Sequence, residues 1–274
     1  MIFILFTGYY IYDGINSSRY HLLFANLDTD RLSQICGNLN YSTEYYKGLQ
    51  KHEMHSKNWD DSPLSFDVEV LSEYPIDDIV AKKIKRWMFN ASSWKKLYED
   101  RGAKKSLDEI VDGQLKRSYV ECVFTNPYEI RKSGHLFGWK CTCILATPMA
   151  VQDTIEKTYT DFANNIVLST SSDIDGYIYP YIEIKIGNTS ASTDINIKNI
   201  SDNNRSMQIS DITADATLYI DCGVGSIIDS SNNSYYDRLK DQRFLRLSQG
   251  DNELSVTGDI DSVKFVWNNM KYIL

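Results

Sequence analysis

The stretch "RLSQGDNELSVTG" at residues 246–258 decides the fold class of this chain. Leu245 and Leu247 lead into the cluster Gln249-Gly250-Asp251-Asn252, after which Leu254 and Val256 alternate with Glu253, Ser255 and Thr257. A period of two marks a half-buried strand, because successive side chains point to opposite faces. The Gly/Asp/Asn cluster is turn chemistry. The segment reads as two strands joined by a tight turn. Gly250 or Asn252 supplies a positive φ, and Leu254 and Val256 face a core.

The same pattern spreads outward through the second half. In "YIEIKIG" (181–187) Ile182, Ile184 and Ile186 share one face, and Glu183 and Lys185 the other. "DINIKNI" (194–200), "ATLYIDCG" (216–223) and "DSVKFVWNNMKYIL" (261–274) follow, separated by polar clusters such as "SSNNS" (230–234). Many short strands with polar turns and no helix between them predict an antiparallel β-sandwich. The boundary falls within "TPMAVQDTIEKTYTDF" (147–162), which gives two domains, 1–150 and 151–274.

The first domain mixes strands with one clear helix. In "IDDIVAKKIKRWMFNASSW" (76–94) apolar residues fall at 76, 80, 84, 87, 91 and 94, a single stripe of helical period. Asp77 and Asp78 at its start and Lys95 and Lys96 at its far end match the helix dipole, so a helix is predicted over 76–96. "SFDVEVL" (65–71), "RSYVECVF" (117–124) and "FGWKCTCILA" (137–146) read as strands. The latter two are separated by "TNPYEIRKSGHL" (125–136), whose Asn-Pro and Ser-Gly pairs signal turns. A short helix is expected around Leu107–Val111. Residues 37–62 are polar, lack a sustained period, and read as a long loop or flexible hairpin, an arm.

Charge narrows the partners. Residues 1–150 carry 19 basic and 19 acidic side chains, and residues 151–274 carry 10 and 18, so the second half holds the whole net charge of −8. No part is basic enough to bind nucleic acid through its phosphates. "MIFILF" (1–6) is too short for a signal peptide or a spanning helix, and no later apolar run approaches a membrane span, so no membrane insertion is expected. The cysteines (Cys36, Cys122, Cys141, Cys143, Cys222) form no zinc pattern. Cys141 and Cys143, two apart on a strand, face one side, as core thiols do.

Candidate chemistry is sparse. His52 and His55 in "KHEMH" (51–55) are three apart with Glu53 between them, which departs from the HExxH zinc spacing, and they read as solvated loop residues. "SDIDG" (172–176), with Asp173, Asp175 and Gly176, begins like a calcium loop, but its closing ligand would fall in a strand, so a turn is expected. There is no G-x-S-x-G elbow and no glycine-rich phosphate loop. No catalytic, cofactor-binding or metal-binding residues are assigned. Two alternatives stay open. One is a carbohydrate-binding sandwich using tyrosines such as Tyr235 or Tyr236. The other is a glycan-degrading enzyme, which needs a carboxylate pair about 5–10 Å apart.

The order and wording of the segments go further than composition. "YPYIEIKIG" (179–187), "INIKNI" (195–200), "ATLYIDCG" (216–223) and "FLRLSQGDNELSVTGDIDSVKFVW" (244–267) resemble, in sequence order, the C-terminal domain of siphophage-type distal tail proteins, the Dit family. In the first half, a helix ending in Trp87-Met88 and the aromatic-initiated strand "FGWKCTCILATP" (137–148) agree with that family's layout. One difference is that members often carry a Pro-Gly-Arg-Asp-Gly-like turn where this chain reads "QICGNLNYSTEYYKG" (34–48).

The resemblance implies a mainly β protein with one prominent helix. An N-terminal split-barrel, tail-tube-like domain forms the ring, and a galectin-like antiparallel β-sandwich follows. It implies a virion structural protein, assembled in the host cytoplasm, that acts without catalysis as a homo-hexameric ring at the end of the tail tube. Partners implied are the tail tube protein, the tail tip or tail-associated protein, the tape-measure protein and a receptor-binding protein. The central channel passes tape-measure protein and DNA.

Overall fold

The structure is a computed structural model describing residues 8–26, 39–46, 51–59, 65–100, 108–147, 149–174, 176–189 and 191–272. The chain divides into two compact units. One comprises Met1–Glu109, Arg117–Val151 and Tyr272–Leu274, and the other Ile110–Lys116 and Gln152–Lys271. The main crossing falls between Val151 and Gln152, and residues 110–116 belong to the second unit.

In chain order the elements begin β1 (Tyr10–Tyr12), β2 (Ile15–Asn16), β3 (Leu22–Asn26), β4 (Leu39–Tyr46), β5 (Lys51–Trp59) and β6 (Ser65–Ile76). Then come α1 (Asp78–Met88), β7 (Lys95–Glu99), β8 (Glu109–Val111), β9 (Gln114–Lys116), β10 (Ser118–Lys132), β11 (His135–Leu145) and β12 (Met149–Gln152). The sheet of the first unit runs β2-β1-β7-β10-β11-β6-β3, with β12 against β10. It curls until β3 meets the chain just ahead of β1. There Gly8 and Phe24 exchange both backbone hydrogen bonds, at 3.2 and 3.0 Å. One bridge instead of a ladder closes the curl, so the sheet is a split barrel and not a closed one.

Helix α1 fills the curl with Ala81, Ile84 and Met88. Burial of such side chains is the dominant stabilising term, about 1.5–3 kcal/mol for each large one. Around them pack Tyr10 on Phe24 (ring centres 4.2 Å apart) and Tyr12 edge-on to Phe124 (5.0 Å). The Trp87 indole N–H donates to the Tyr12 carbonyl at 3.0 Å, fixing the helix to β1.

The helix starts as predicted but is shorter. Asp77 caps it, its carboxylate accepting from the Ile79 and Val80 N–H groups at 2.8 Å each. It ends at Met88 and not at 96. The following Asn90, Ser92 and Ser93 favour turns over helix, and Leu97 is needed in the sheet, where it pairs with Val120 and Tyr12. Lys95 and Lys96 therefore lie on a strand, Lys95 bonded to Asp13 at 3.3 Å and Lys96 over the Tyr119 ring at 4.2 Å. The short helix expected near Leu107–Val111 is also absent. Glu109–Val111 is β8, folded onto β9 through Asp112-Gly113, both at positive φ (50° and 77°) as a type I′ turn requires. Within residues 37–62, β4 and β5 form an antiparallel hairpin, from Leu39 opposite Trp59 to Tyr46 opposite Lys51.

The second unit adds β13 (Ile155–Tyr159), β14 (Ile166–Thr170), β15 (Tyr181–Ile186), β16 (Ser192–Asn199) and β17 (Arg205–Thr213). β18 (Thr217–Asp221), β19 (Ser226–Asp229), β20 (Gly250–Thr257) and β21 (Ile260–Trp267) complete it. Two antiparallel sheets result, β13-β21-β15-β18-β19 and β14-β20-β16-β17. Their facing side chains form one core. Ile182, Ile184, Ile220 and Phe265 come from the first sheet, and Leu168, Ile197, Ile209 and Leu254 from the second. This is the predicted sandwich, with the alternation of β15 intact. The β8–β9 hairpin contributes Val111 to this core.

The stretch 246–258 is not a hairpin. Leu247 bridges Ile178, while Gly250–Thr257 forms β20, between β14 and β16. β20 then passes into β21 in the opposite sheet, so the stretch is the lead-in to a corner between sheets. Gly250 takes positive φ (89°), but Asn252 lies within the strand and is fully buried.

Candidate functional site

The residues weighed for chemistry do not converge. His52, Glu53 and His55 fall on β5, whose side chains lie outside the described part of the structure, as do Cys36 and Asp175. The Asp173 N–H donates to the Met270 carbonyl at 2.8 Å, tying that turn down through its backbone. Among the described residues no three His, Cys, Asp or Glu side chains gather as a metal cage would require. Cys122, Cys141, Cys143 and Cys222 are free and buried. Burial pushes the Cys141 and Cys222 thiols up to about 12, and raises Cys143, which also contacts Cys122. These are core thiols, as the spacing of Cys141 and Cys143 predicts.

What the protein does present is surface. On the first unit Ile79 (70% exposed) and Tyr128 (72%) stand in solvent, with Tyr74 also exposed. Ile79 sits in the first turn of α1. Tyr128 lies on β10 next to Glu129, which Lys85 of α1 reaches at 2.7 Å and Arg131 at 2.7 Å. Those two hydrogen bonds hold the Glu129 carboxyl below the usual carboxylate range. A salt bridge thus ties the helix to the long β10–β11 hairpin. Below it, a shallow hollow between the β1–β2 turn and the end of α1 is lined by Asp13, Lys83, Arg86, Asn90 and Lys95. The β4–β5 hairpin pairs with no other strand among the described residues.

On the second unit, Tyr235, named from the sequence as a candidate platform residue, is buried under the Arg238 guanidinium, 4.6 Å from its ring centre. Tyr236 is partly exposed beside Phe244. Tyr177, Tyr179 and Tyr181 are exposed as well, and they alternate with buried Ile178 and Pro180 along the approach to β15. Sequence reading missed the first two because they precede the strand proper. The only signal was the alternation of "YIYPY" (177–181) itself. No helix among the described residues is long and apolar enough to cross a membrane.

Comparison with known proteins fits a protein of surfaces. Residues 6–144 match the family model described as phage tail protein N-terminal domain, and residues 150–267 match the one described as phage tail C-terminal domain. No curated protein sequence matches. Among solved structures, the crystal structure of SPP1 Dit (gp 19.1), described as a paradigm of the hub adsorption apparatus in Gram-positive infecting phages, aligns over 96% of this chain and 98% of its own. The TM-score is 0.65 and the identity 7%, a likeness of fold. A chain of the phage P2 baseplate in its activated conformation with Ca aligns over 97% and 98%, with TM-score 0.49 and 9% identity. With both halves matched in order, the chain belongs to the phage tail protein family, and its fold is that of the Dit hub protein.

Proposed function

We propose that the protein is a distal tail adaptor, acting by assembly and not by catalysis. The first units of six copies form a ring that joins the tail tube to the tip or baseplate, and the sandwich carries the tip and receptor-binding proteins. The ring's channel passes tape-measure protein and DNA. The protein assembles in the host cytoplasm and ends in the virion tail.

The observation that carries this reading is the β4–β5 hairpin. Two strands of eight and nine residues pair only with each other among the described residues. An isolated two-stranded hairpin is marginal in water, because its edges and one face lack partners. A neighbouring copy supplies them in a closed ring, where each subunit grips the next by a head-to-tail contact. The exposed Ile79 and Tyr128 are further surface for such a contact. The balanced charge of residues 1–150 suits a channel wall that must let DNA slide.

Mass photometry and light scattering over a wide concentration range, with negative-stain images, test the ring. Hexamers are expected, and deletion of residues 37–62 is expected to abolish them while leaving the melting of the sandwich unchanged. A strict monomer at every concentration, without rings in micrographs, sinks the reading.

A further inference from the structure

The second unit carries an aromatic site that an assembly role does not require. Residues 177–181 run extended, anchored on one side by Ile178, which exchanges both backbone hydrogen bonds with Leu247 at 2.9 and 2.8 Å. On the other side the Cys222 N–H donates to the Pro180 carbonyl at 3.2 Å, and Tyr181 pairs with Asp221. The alternation then leaves Tyr177, Tyr179 and Tyr181 in a row at 39%, 49% and 39% exposure. Beside Tyr179 lies Gly223, where a Cβ would stand 3.7 Å from the tyrosine Cβ, followed by Val224, 81% exposed. The row therefore has open ground along one flank.

Its other flank is built. The Arg246 guanidinium lies over the Tyr177 ring, 3.6 Å from its centre. Asp202, buried, grips it through Nε at 2.7 Å and Nη2 at 3.1 Å. The Arg246 carbonyl in turn accepts from the buried Asn199 amide at 2.9 Å. A side chain that is normally among the most mobile is held in one place, and its remaining N–H groups have no other acceptor among the described residues.

Charge and area select the ligand. Asp202 cancels the Arg246 charge, Asp221 and Glu183 stand near Tyr181, and residues 151–274 are acidic as a whole. Such a face repels phosphates and sulfates. Exposed to 39%, 49% and 39%, the three rings together present roughly 200–300 Å², since a whole aromatic side chain can bury roughly 150–250 Å². A stable protein interface takes about 800 Å² from each partner. A small, uncharged ligand with apolar faces and many hydroxyls fits both limits. We infer that the tyrosine row with Arg246 is a binding site for an uncharged saccharide. Sugar rings stack on the tyrosine faces that Arg246 leaves open, and the remaining Arg246 N–H groups and tyrosine hydroxyls bond the sugar hydroxyls. This inference goes beyond the adaptor role and does not depend on it.

The test uses the full-length protein and a panel of neutral oligosaccharides (maltohexaose, cellohexaose and chitohexaose, then a neutral glycan array), read by saturation-transfer NMR and calorimetry. Poly(glycerol phosphate) serves as the charged comparison. At least one neutral glycan is expected to bind, and Tyr179→Ala and Tyr177→Ala to weaken it by about tenfold or more, as loss of a central aromatic contact does. Tyr74→Ala, on the first unit, leaves binding unchanged. Both tyrosines are surface residues, so unchanged melting curves verify the fold, and ring formation, read on the same samples, stays intact. Three results overturn the inference: no neutral glycan binds, binding survives both tyrosine variants, or only the phosphate polymer binds. Protection of residues 177–181 from hydrogen exchange by another tail protein, without any effect of sugar, overturns it as well and assigns the row to a protein partner.

Discussion

The side-chain amide of Asn199 donates to the side-chain oxygen of Asn252 at 3.0 Å, and both residues are fully shielded from solvent. Asn252 also accepts from the Ser248 N–H at 2.8 Å and donates to the Ser248 and Gly250 carbonyls at 2.8 and 3.2 Å. One side chain thus satisfies the backbone of the segment that enters β20, and through Asn199 fixes the carbonyl of Arg246. Asn252→Ala leaves several buried polar groups without partners, each costing about 1–3 kcal/mol. The expected outcome is a loss of about 3 kcal/mol in urea unfolding of the sandwich. A loss under half a kcal/mol would falsify the hub.

That hub explains why the stretch 246–258 misleads when read alone. Its Gly250 and Asn252 carry turn chemistry, and a local rule assigns both to a turn. Burial against β14 and β16 instead places Asn252 in a strand, where its turn-like hydrogen bonds are made inside the protein. Where one side chain pattern met one neighbour, as at Ile182, Ile184 and Ile186, alternation was enough to read the face. The start of α1 was legible because Asp77 acts on N–H groups two and three residues away. Its end was not, since Ala91 and Trp94 keep the helical period by coincidence and the pull of Leu97 into the sheet is non-local. Asp112-Gly113 was a legible turn overshadowed by a weak helical pattern. The exposure of Tyr177 and Tyr179, against the burial of Tyr235, depends on which segments lie over each ring, and no spacing encodes that.

Glu129 gives a pH dependence with a defined sign. Its carboxyl is held low by hydrogen bonds from Lys85 and Arg131. A group whose folded-state pKa is depressed contributes stability above its unfolded pKa and loses it as pH falls through the folded value. The site is partly exposed, so solvent screens the pair and the contribution is a few tenths of a kcal/mol. Glu129→Gln is therefore expected to be slightly less stable than the parent at neutral pH and equal to it once the carboxylate is protonated. Urea titrations at a series of pH values read the difference, and a gap that persists undiminished in acid counts against the assignment.

The thiols report on the two cores. Cys122, Cys141 and Cys143 lie under the first sheet and Cys222 in the sandwich. All four are buried, and burial pushes Cys141 and Cys222 up to about 12, so these two carry almost no thiolate at pH 8. A soluble aromatic disulfide reagent is expected to leave all four unmodified in the native protein and to label them in denaturant, as peptide mapping by mass spectrometry shows. Native labelling of Cys141 or Cys222 at the rate of a free thiol contradicts the packing described. Because the cysteines are distributed between the two units, graded denaturant also reveals which core opens first.

Gly138 carries the sharpest steric prediction. On β11 it lies opposite Leu71 of β6, at a point where the register shifts after Leu136. A Cβ there would collide with the Val70 carbonyl and stand 2.9 Å from the Leu71 Cα, both backbone atoms of the neighbouring strand. A flexible side chain could swing aside, but a ladder strand moves only by giving up its pairing. Gly138→Ala is therefore expected to cost about 3 kcal/mol or more, beyond the 1–3 kcal/mol typical of overpacking in a core. The damage should be confined to the first unit, so its melting transition falls while Cys222 stays protected from thiol reagents. If the variant melts like the parent, the close approach of β6 and β11 at this position is wrong.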